Sequence, residues 1–218
     1  MLHELQLSKE LKNDLIWKKE TYGKYTTKSF CKYTFDTINN TDGIWKFVWV
    51  NVAPHTVEMF VWQLLHGKIG VKEELIKRRV HLDNGVLSVL CNKKVESCDH
   101  LFAKCNETWK VWVRWCKMWG VSWISLGYVR GILELWNRYQ LRSLDKRTWR
   151  MAFFVVVWSI WKDRNETILR GKEWDSGNCL ELARIRVAEW ANAKWPREFP
   201  SILDIYRQPT KQDQQTRR

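Results

Sequence analysis

Apolar side chains recur at helical spacing along most of the chain. The clearest run follows Pro54, which suits the first position of a helix because its missing N–H needs no partner there. The apolar residues after it are Val57, Phe60, Val61, Leu64 and Leu65. They are separated by three or four residues and fall on one helical face, so we predict a helix here.

The same periodicity predicts further helices downstream. Their ranges are 72–79, 128–140, 146–169 and 178–195. Another helix, which ends at Gly120, carries an aromatic stripe on one face. The stripe consists of Trp109, Trp112, Cys116 and Trp119. Such a stripe either forms the core of a helical domain or, when exposed, offers a surface on which nucleic-acid bases stack.

The N-terminal part has a different pattern. Residues 15–18 and 24–27 form two short extended candidates separated by a glycine-containing loop, which predicts a small β-hairpin. A helix follows, for which Thr26 or Thr27 can serve as the N-cap. Residues 44–50 then hold two tryptophans at helical spacing.

The composition is typical of a soluble protein in which these elements pack around one hydrophobic core. The 218 residues include 16 Trp and are 45% hydrophobic, which is ample material for burial. The longest apolar run, at residues 151–161, has about half the ~20 residues of a membrane helix. We expect no membrane association and, because the N-terminus mixes apolar with charged residues, an intracellular location. Prolines and polar residues predict a disordered tail at 196–218.

The formal charge of +13 favours an anionic partner such as RNA or DNA. This excess is spread thinly along the chain rather than clustered. The predicted helix at 72–79 ends with three basic residues, Lys77, Arg78 and Arg79. Positive charges at a helix C-terminus are stabilised by the helix dipole, so these side chains either form an ordinary solvated helix end or contact phosphate.

One stretch has the spacing of a zinc knuckle. Cys91, His100 and Cys105 follow the order C-x-x-C…H-x-x-x-x-C, except that Ser88 stands at the first cysteine. Thiolates and imidazoles are the ligands of structural zinc, and a neutral serine hydroxyl is a poor substitute. Three outcomes follow: Cys98 supplies a fourth ligand, three ligands hold zinc with an open position, or no metal binds.

The other cysteines and the usual catalytic motifs add no second site. Cys31, Cys116 and Cys179 are irregularly placed and are expected to be ordinary buried thiols. The sequence has no Asp-Asp pair of the polymerase type, no glycine-rich phosphate loop, no G-x-S-x-G elbow and no H-E-x-x-H. Glu96 is expected to orient a ligand or to cap the helix of His100. We predict a protein that is not an enzyme.

The order of aromatic, proline, glycine and ligand positions resembles one family. The positions that carry the resemblance are Trp17, Gly23, Trp45, Trp49, Pro54, Trp62, Leu75, Arg78, Cys91, Glu96, His100, Cys105 and Trp112. Over residues 14–115 the chain resembles the reverse-transcriptase zinc-binding domain of plant LINE-type (non-LTR) retrotransposons. The chain departs from this family at Ser88 and at Thr56, where relatives typically have a lysine.

The resemblance implies an organisation and a role. A module at 14–120, preceded by an arm at 1–13, would follow the polymerase in a polyprotein, bind zinc and assist nucleic-acid binding. Residues 121–195 would be the helical linker before a ribonuclease H domain, because Trp158, Trp161, Arg164 and Asn165 fit a W-x-I-W-x-x-R-N helix of such proteins. The fold expected is mainly α: a compact helical domain around a degenerate zinc knuckle, then C-terminal helices.

Two functional hypotheses remain at this level. In the first, the chain is an auxiliary nucleic-acid-binding module whose phosphate contacts are Lys77, Arg78, Arg79, Lys93 and Lys94. In the second, it is a structural or interaction remnant of the polyprotein, which once packed on the polymerase or ribonuclease H domains and retains neither metal nor nucleic-acid binding.

Overall fold

The computed structural model describes Lys24, Thr26, Ser29 and residues 42–82, 85–124, 126–141 and 143–207. Contacts divide the chain into two units, residues 1–43 and residues 44–218. In the first unit, the Thr26 hydroxyl accepts a hydrogen bond from the Ser29 backbone N–H at 3.0 Å, and the Ser29 hydroxyl accepts one from Thr26 N–H at 3.3 Å. This reciprocal pair has the geometry of a helix N-cap, as the sequence indicates for Thr26.

The described part of the second unit is helical. A 3₁₀ turn at Trp45–Phe47 comes first, and a single π-helical turn at His100–Lys104 lies between the second and third α-helices. The α-helices are α1 (His55–Leu65), α2 (Lys72–Lys77), α3 (Asn106–Met118), α4 (Val129–Arg138), α5 (Ser143–Arg170), α6 (Ser176–Lys194) and α7 (Ile202–Arg207). The mainly helical class predicted from periodicity is therefore confirmed.

Helix α5 lies at the centre of the core. Every residue from 151 to 157 is buried, and α1, α3, α4 and α6 all pack against this helix. Trp136 of α4 and Trp149 of α5 stack with ring centroids 4.0 Å apart, and each indole N–H donates to the backbone carbonyl of the other. Paired in this way, both indoles are buried without an unsatisfied donor.

The aromatic stripe of α3 contributes to this core. Trp112 and Cys116 are buried, and the Trp112 indole donates to the carbonyl of Phe102 at 2.9 Å. Trp109 lies at the edge of the stripe and is 38% exposed. The residues at the centre of the stripe are thus core residues rather than a platform for bases.

The predicted β-hairpin and the predicted disordered tail have a different outcome from the helices. The predicted β-hairpin at 15–18 and 24–27 lies, apart from Lys24 and Thr26, outside the described residues and is not supported; elsewhere in the described part, one isolated bridge joins Leu87 to Val95. Within the predicted disordered tail, residues 202–207 form α7, which packs on α6 because Phe199 and Ile205 supply buried apolar contacts. Residues 208–218 lie outside the described part.

No helix among the described residues is both long enough and apolar enough to cross a lipid bilayer.

Candidate metal centre

Cys91 lies in a short loop whose two ends run antiparallel to each other. Ser88 N–H donates to the carbonyl of Lys94 at 2.8 Å, and Asn92 N–H donates to the carbonyl of Ser88 at 2.8 Å. Asn92 has a φ of 51°, a left-handed conformation that asparagine tolerates better than most residues. The chain therefore reverses direction next to Cys91, and we call residues 86–96 the knuckle loop.

His100 and Cys105 lie at the two ends of the π-helical turn. The Ser97 hydroxyl accepts the backbone N–H of His100 at 3.0 Å, and Cys105 N–H donates to the carbonyl of His100 at 2.8 Å. Single π-helical turns are frequent at functional sites because they shift side chains off the α-helical register. Here the turn places an imidazole and a thiol on the same side of the backbone path, immediately before α3.

These elements bring three ligand-type side chains together. One ligand atom from each of Cys91, His100 and Cys105 lies within 4.8 Å of the other two. The Cys91 sulfur is 3.3 Å from Nε2 of His100. In a tetrahedral zinc site with bonds of 2.0–2.3 Å, neighbouring ligand atoms are separated by about 3.3–3.8 Å. Both the donor chemistry and the compactness of the group fit zinc.

The electrostatics of the two thiols differ. Burial raises the pKa of Cys105 to about 11, although the backbone N–H groups of Glu107 and Thr108 act in the opposite direction. Burial also acts to raise the pKa of Cys91, but the backbone N–H groups of Lys93 and Lys94, with further hydrogen bonds, outweigh it and lower the pKa. Backbone N–H groups directed at both sulfurs favour the thiolates that bind metal.

Ser88, which stands at the first-cysteine position of the knuckle spacing, is a neighbour of Cys91 in the structure. Its side chain is fully buried, and its hydroxyl accepts the backbone N–H of Leu90 at 3.4 Å. A hydrogen bond between this hydroxyl and Cys91 lowers the pKa of that thiol. Ser88 is therefore a neighbour of Cys91 that lacks the thiolate of a usual zinc ligand.

Cys98 lies outside this group. Burial raises the pKa of its thiol to about 12, and the nearby carboxylates of Glu74 and Asp99 add to the effect. Among the described residues, the ligand-type side chains that come together are those of Cys91, His100 and Cys105, without Cys98.

Two of the predicted basic residues line a cleft at this site. The cleft has a volume of about 330 Å³, and its walls include Cys91 and His100. Its three lysines are Lys93, Lys94 and Lys104. Lys104 was not predicted from the sequence, where its only signal is its position next to Cys105.

The basic residues at the end of α2 have other partners or another geometry. Lys77 forms ion pairs with Glu73 and Glu74 at 3.4 and 2.6 Å, so its charge is largely compensated. Arg78 donates to the carbonyl of Lys68 at 3.0 Å. Arg79 has a positive φ of 60° just beyond the helix end. None of these three residues lines the cleft.

Zinc affinity is expected to rise with pH between about 6 and 8. Zinc has to displace the proton of Cys105, whose pKa is about 11, whereas burial lowers the pKa of His100 and leaves its imidazole neutral at pH 7. Each proton released changes the affinity by about tenfold per pH unit, so affinity is gained as pH rises and lost as it falls. Competition with a chromophoric chelator at three pH values measures the slope, and a pH-independent affinity would contradict this expectation.

The fold and the site define a class: a helical module in which one histidine and two cysteine side chains from a loop and a π-helical turn come together. Residues 25–112 match the protein family described as zinc-binding in reverse transcriptase. This segment of the chain is therefore a reverse transcriptase zinc-binding domain. Comparison with curated proteins and with solved structures gives no match.

Proposed function

We propose that the chain is a non-catalytic zinc-binding module, descended from a plant LINE-type retrotransposon polyprotein, that contacts RNA or DNA as an auxiliary to reverse transcription. The observation that carries this proposal is that Cys91 and His100, two members of the three-residue cluster, line a cleft whose walls include three lysines. A non-catalytic role is supported by the family match, which is to a zinc-binding and not a polymerase domain.

The three ligands would hold zinc as a staple between two parts of the chain. Cys91 belongs to the knuckle loop, whereas His100 and Cys105 flank the π-helical turn that leads into α3. Bound zinc supplies a multidentate cross-link, which stabilises the folded state because the unfolded chain lacks a preformed site. The proposed role of the metal is therefore structural, and it would fix the knuckle loop that carries two of the cleft lysines.

The lysines of the cleft would contact the phosphate backbone. Lys93 and Lys94 lie in the knuckle loop, and Lys104 lies at the end of the π-helical turn, so the metal site determines how their positive charges are arranged. Lysine ammonium groups bind phosphate as point charges, without reading base sequence. We retain Arg78 and Arg79 as secondary phosphate contacts and give Lys77 less weight because of its ion pairs.

The remnant hypothesis has less support in the described part of the molecule. A surface that once packed on polymerase or ribonuclease H domains would present contiguous aromatic side chains. Of the tryptophans that the structure describes, Trp109 is the only exposed one, and the exposed tyrosines in the described part are Tyr128 and Tyr139. The cleft, in contrast, carries the three lysines that phosphate binding would need, and we therefore prefer nucleic-acid binding over the remnant hypothesis.

Nucleic-acid binding is expected to weaken steeply with salt, and the cleft lysines are expected to carry part of this dependence. Three phosphate contacts predict roughly a 20- to 40-fold loss of affinity between about 50 and 200 mM salt through counterion release. Replacing Lys93, Lys94 and Lys104 with alanine should remove that component and reduce the magnitude of the log–log salt slope by about two to three. Mobility-shift titrations with single-stranded RNA, single-stranded DNA and duplex DNA measure it.

The matched control removes three positive charges elsewhere. Alanine at Lys162, Arg170 and Lys194 lowers the net charge equally but leaves the cleft intact, since none of these residues lines it. If both triple variants lose the same slope, binding is a property of the overall charge. If the unmodified chain retains no nucleic acid at low salt, the nucleic-acid part of the proposal is wrong.

A further inference from the structure

A buried ion pair joins the knuckle loop to the central helix α5. Glu96 is fully buried and Arg164 is 5% exposed. The Arg164 Nε–H donates to Glu96 Oε1 at 3.2 Å, and Nη2 contacts the same oxygen. The guanidinium also lies over the ring of Trp161, 4.9 Å from its centroid. Arg164 is 68 residues from Glu96 in sequence and 52 residues beyond the end of the family match.

Glu96 also forms hydrogen bonds with the other end of the knuckle loop and with the start of α2. Its backbone N–H donates to the carbonyl of Val86 at 3.1 Å, which closes the base of the knuckle loop. Its backbone carbonyl accepts Glu73 N–H at 3.0 Å, and Oε1 accepts Lys72 N–H at 3.2 Å. Glu96 thus fixes the knuckle loop against the first turn of α2, while Arg164 fixes Glu96 against α5.

The same residue lies between the metal ligands along the chain. Cys91 precedes Glu96 by five residues and His100 follows it by four. A second buried cation supports the arrangement, because the Lys72 ammonium donates to the carbonyl of Leu87 at 2.8 Å within the knuckle loop. Any rotation of the Glu96 backbone would move the Cys91 side of the group relative to the His100 side.

A buried ion pair is a poor source of net stability, because desolvation of both charges offsets their attraction. Its geometric effect is stronger: the guanidinium directs two N–H groups at one carboxylate oxygen and so defines one orientation of the loop against α5. Ligands that are held in place before metal arrives lose less freedom on binding.

We infer that Arg164 is a positioning residue for the metal site, acting through Glu96, and that the functional zinc-binding unit extends beyond the matched segment 25–112 to α5. This inference rests on the proposed zinc binding by Cys91, His100 and Cys105. It assigns to α5 a contribution to the metal site that the sequence interpretation of residues 121–195 as a downstream linker does not include.

The test compares variants of the whole chain that alter the Glu96–Arg164 ion pair with a variant that lowers stability at a site outside this pair. Arg164→Met removes the guanidinium, Arg164→Lys keeps a charge, and Leu180→Ala truncates a buried side chain of α6 that is not part of the pair. Zinc affinity is measured by chelator competition, the ligand geometry by the visible spectrum of the Co²⁺-loaded chain, and the mobility of residues 86–97 by hydrogen exchange of the metal-free chain.

Arg164→Met is expected to bind zinc 10- to 100-fold more weakly, the range typical of lost outer-shell contacts, with an altered Co²⁺ spectrum and faster exchange at residues 86–97. Arg164→Lys should recover part of the affinity. Leu180→Ala should lower the thermal midpoint but keep the affinity and the spectrum. Wild-type affinity in Arg164→Met, or an equal loss in Leu180→Ala, would overturn the inference.

Two further outcomes are also informative. If Arg164→Met does not fold, Glu96→Gln keeps the shape of the side chain, and the same three measurements on that variant decide the question. If the unmodified chain binds no zinc, the proposed zinc binding fails on its own account. Hydrogen exchange of the metal-free chains then decides: unchanged exchange at residues 86–97 in Arg164→Met means that Arg164 does not position the loop.

Discussion

Replacing Cys105 with serine is expected to lower zinc affinity by more than about a hundredfold, a larger loss than the 10- to 100-fold typical of outer-shell changes. The three ligand atoms of the site include the buried Cys105 sulfur, and its loss leaves one thiolate and one imidazole. Two protein ligands are too few for a stable tetrahedral zinc site.

Serine is the informative substitution at this position because it preserves the local fold. Cys105 directly precedes α3 and has the extended backbone of an N-cap residue, with φ −71° and ψ 128°. Serine is among the best N-cap residues, so α3 should keep its start while the site loses its sulfur. Circular dichroism of the metal-free variant checks the helix content, and chelator competition gives the affinity.

Cys98→Ser is the matched control for Cys105→Ser. Cys98 lies outside the ligand group, so its replacement should leave zinc affinity unchanged. Equal losses in the two variants would indicate that zinc binding does not depend specifically on the three-residue group. A loss in Cys98→Ser alone would show that Cys98 supplies a ligand and would contradict the three-residue site.

Replacing Ser88 with cysteine should have the opposite effect, raising zinc affinity by at least about tenfold, because a fourth thiolate would complete a tetrahedral ligand set. The Ser88 side chain is fully buried and neighbours Cys91, so we expect a thiol at this position to reach the group. At saturating zinc, tenfold tighter binding adds about 1.4 kcal/mol to the free energy of unfolding. Chelator competition and thermal unfolding with and without zinc measure both effects.

Ser88→Ala separates the new thiol from the lost hydroxyl. It removes the hydrogen bond to Cys91 without adding a ligand, and it should weaken zinc binding modestly. If Ser88→Ala loses as much affinity as Cys105→Ser, the serine oxygen is itself a ligand. If Ser88→Cys binds zinc no more tightly than the unmodified chain, the position of residue 88 relative to the site is not the one described.

The helices could be predicted because their signals are local. The helix predicted after Pro54 corresponds to His55–Leu65 in the structure, and the helix predicted at 178–195 corresponds to Ser176–Lys194. Both segments are long enough for 3.6-residue periodicity to be unambiguous. The π-helical turn at His100–Lys104 could not be predicted, because one extra residue per turn leaves no mark on so short a pattern.

Spacing alone indicated that Cys91, His100 and Cys105 would come together, but it did not indicate what surrounds them. Cys98 was a reasonable fourth ligand by residue type, but it lies two residues before His100 in a helical segment, and side chains at i and i+2 do not face each other. Lys104 enters the cleft only through the geometry of the π-helical turn. The pairing of Glu96 with Arg164 depends on how α5 packs, which no local pattern encodes.

We propose that Cys91, His100 and Cys105 form a zinc site although residue 88 is a serine. Its most direct test is the zinc content per chain, measured by elemental analysis of the unmodified protein after zinc loading and dialysis, with Cys105→Ser treated in parallel. We expect close to one zinc per unmodified chain and close to none in the variant. The same small fraction of zinc in both proteins would contradict it.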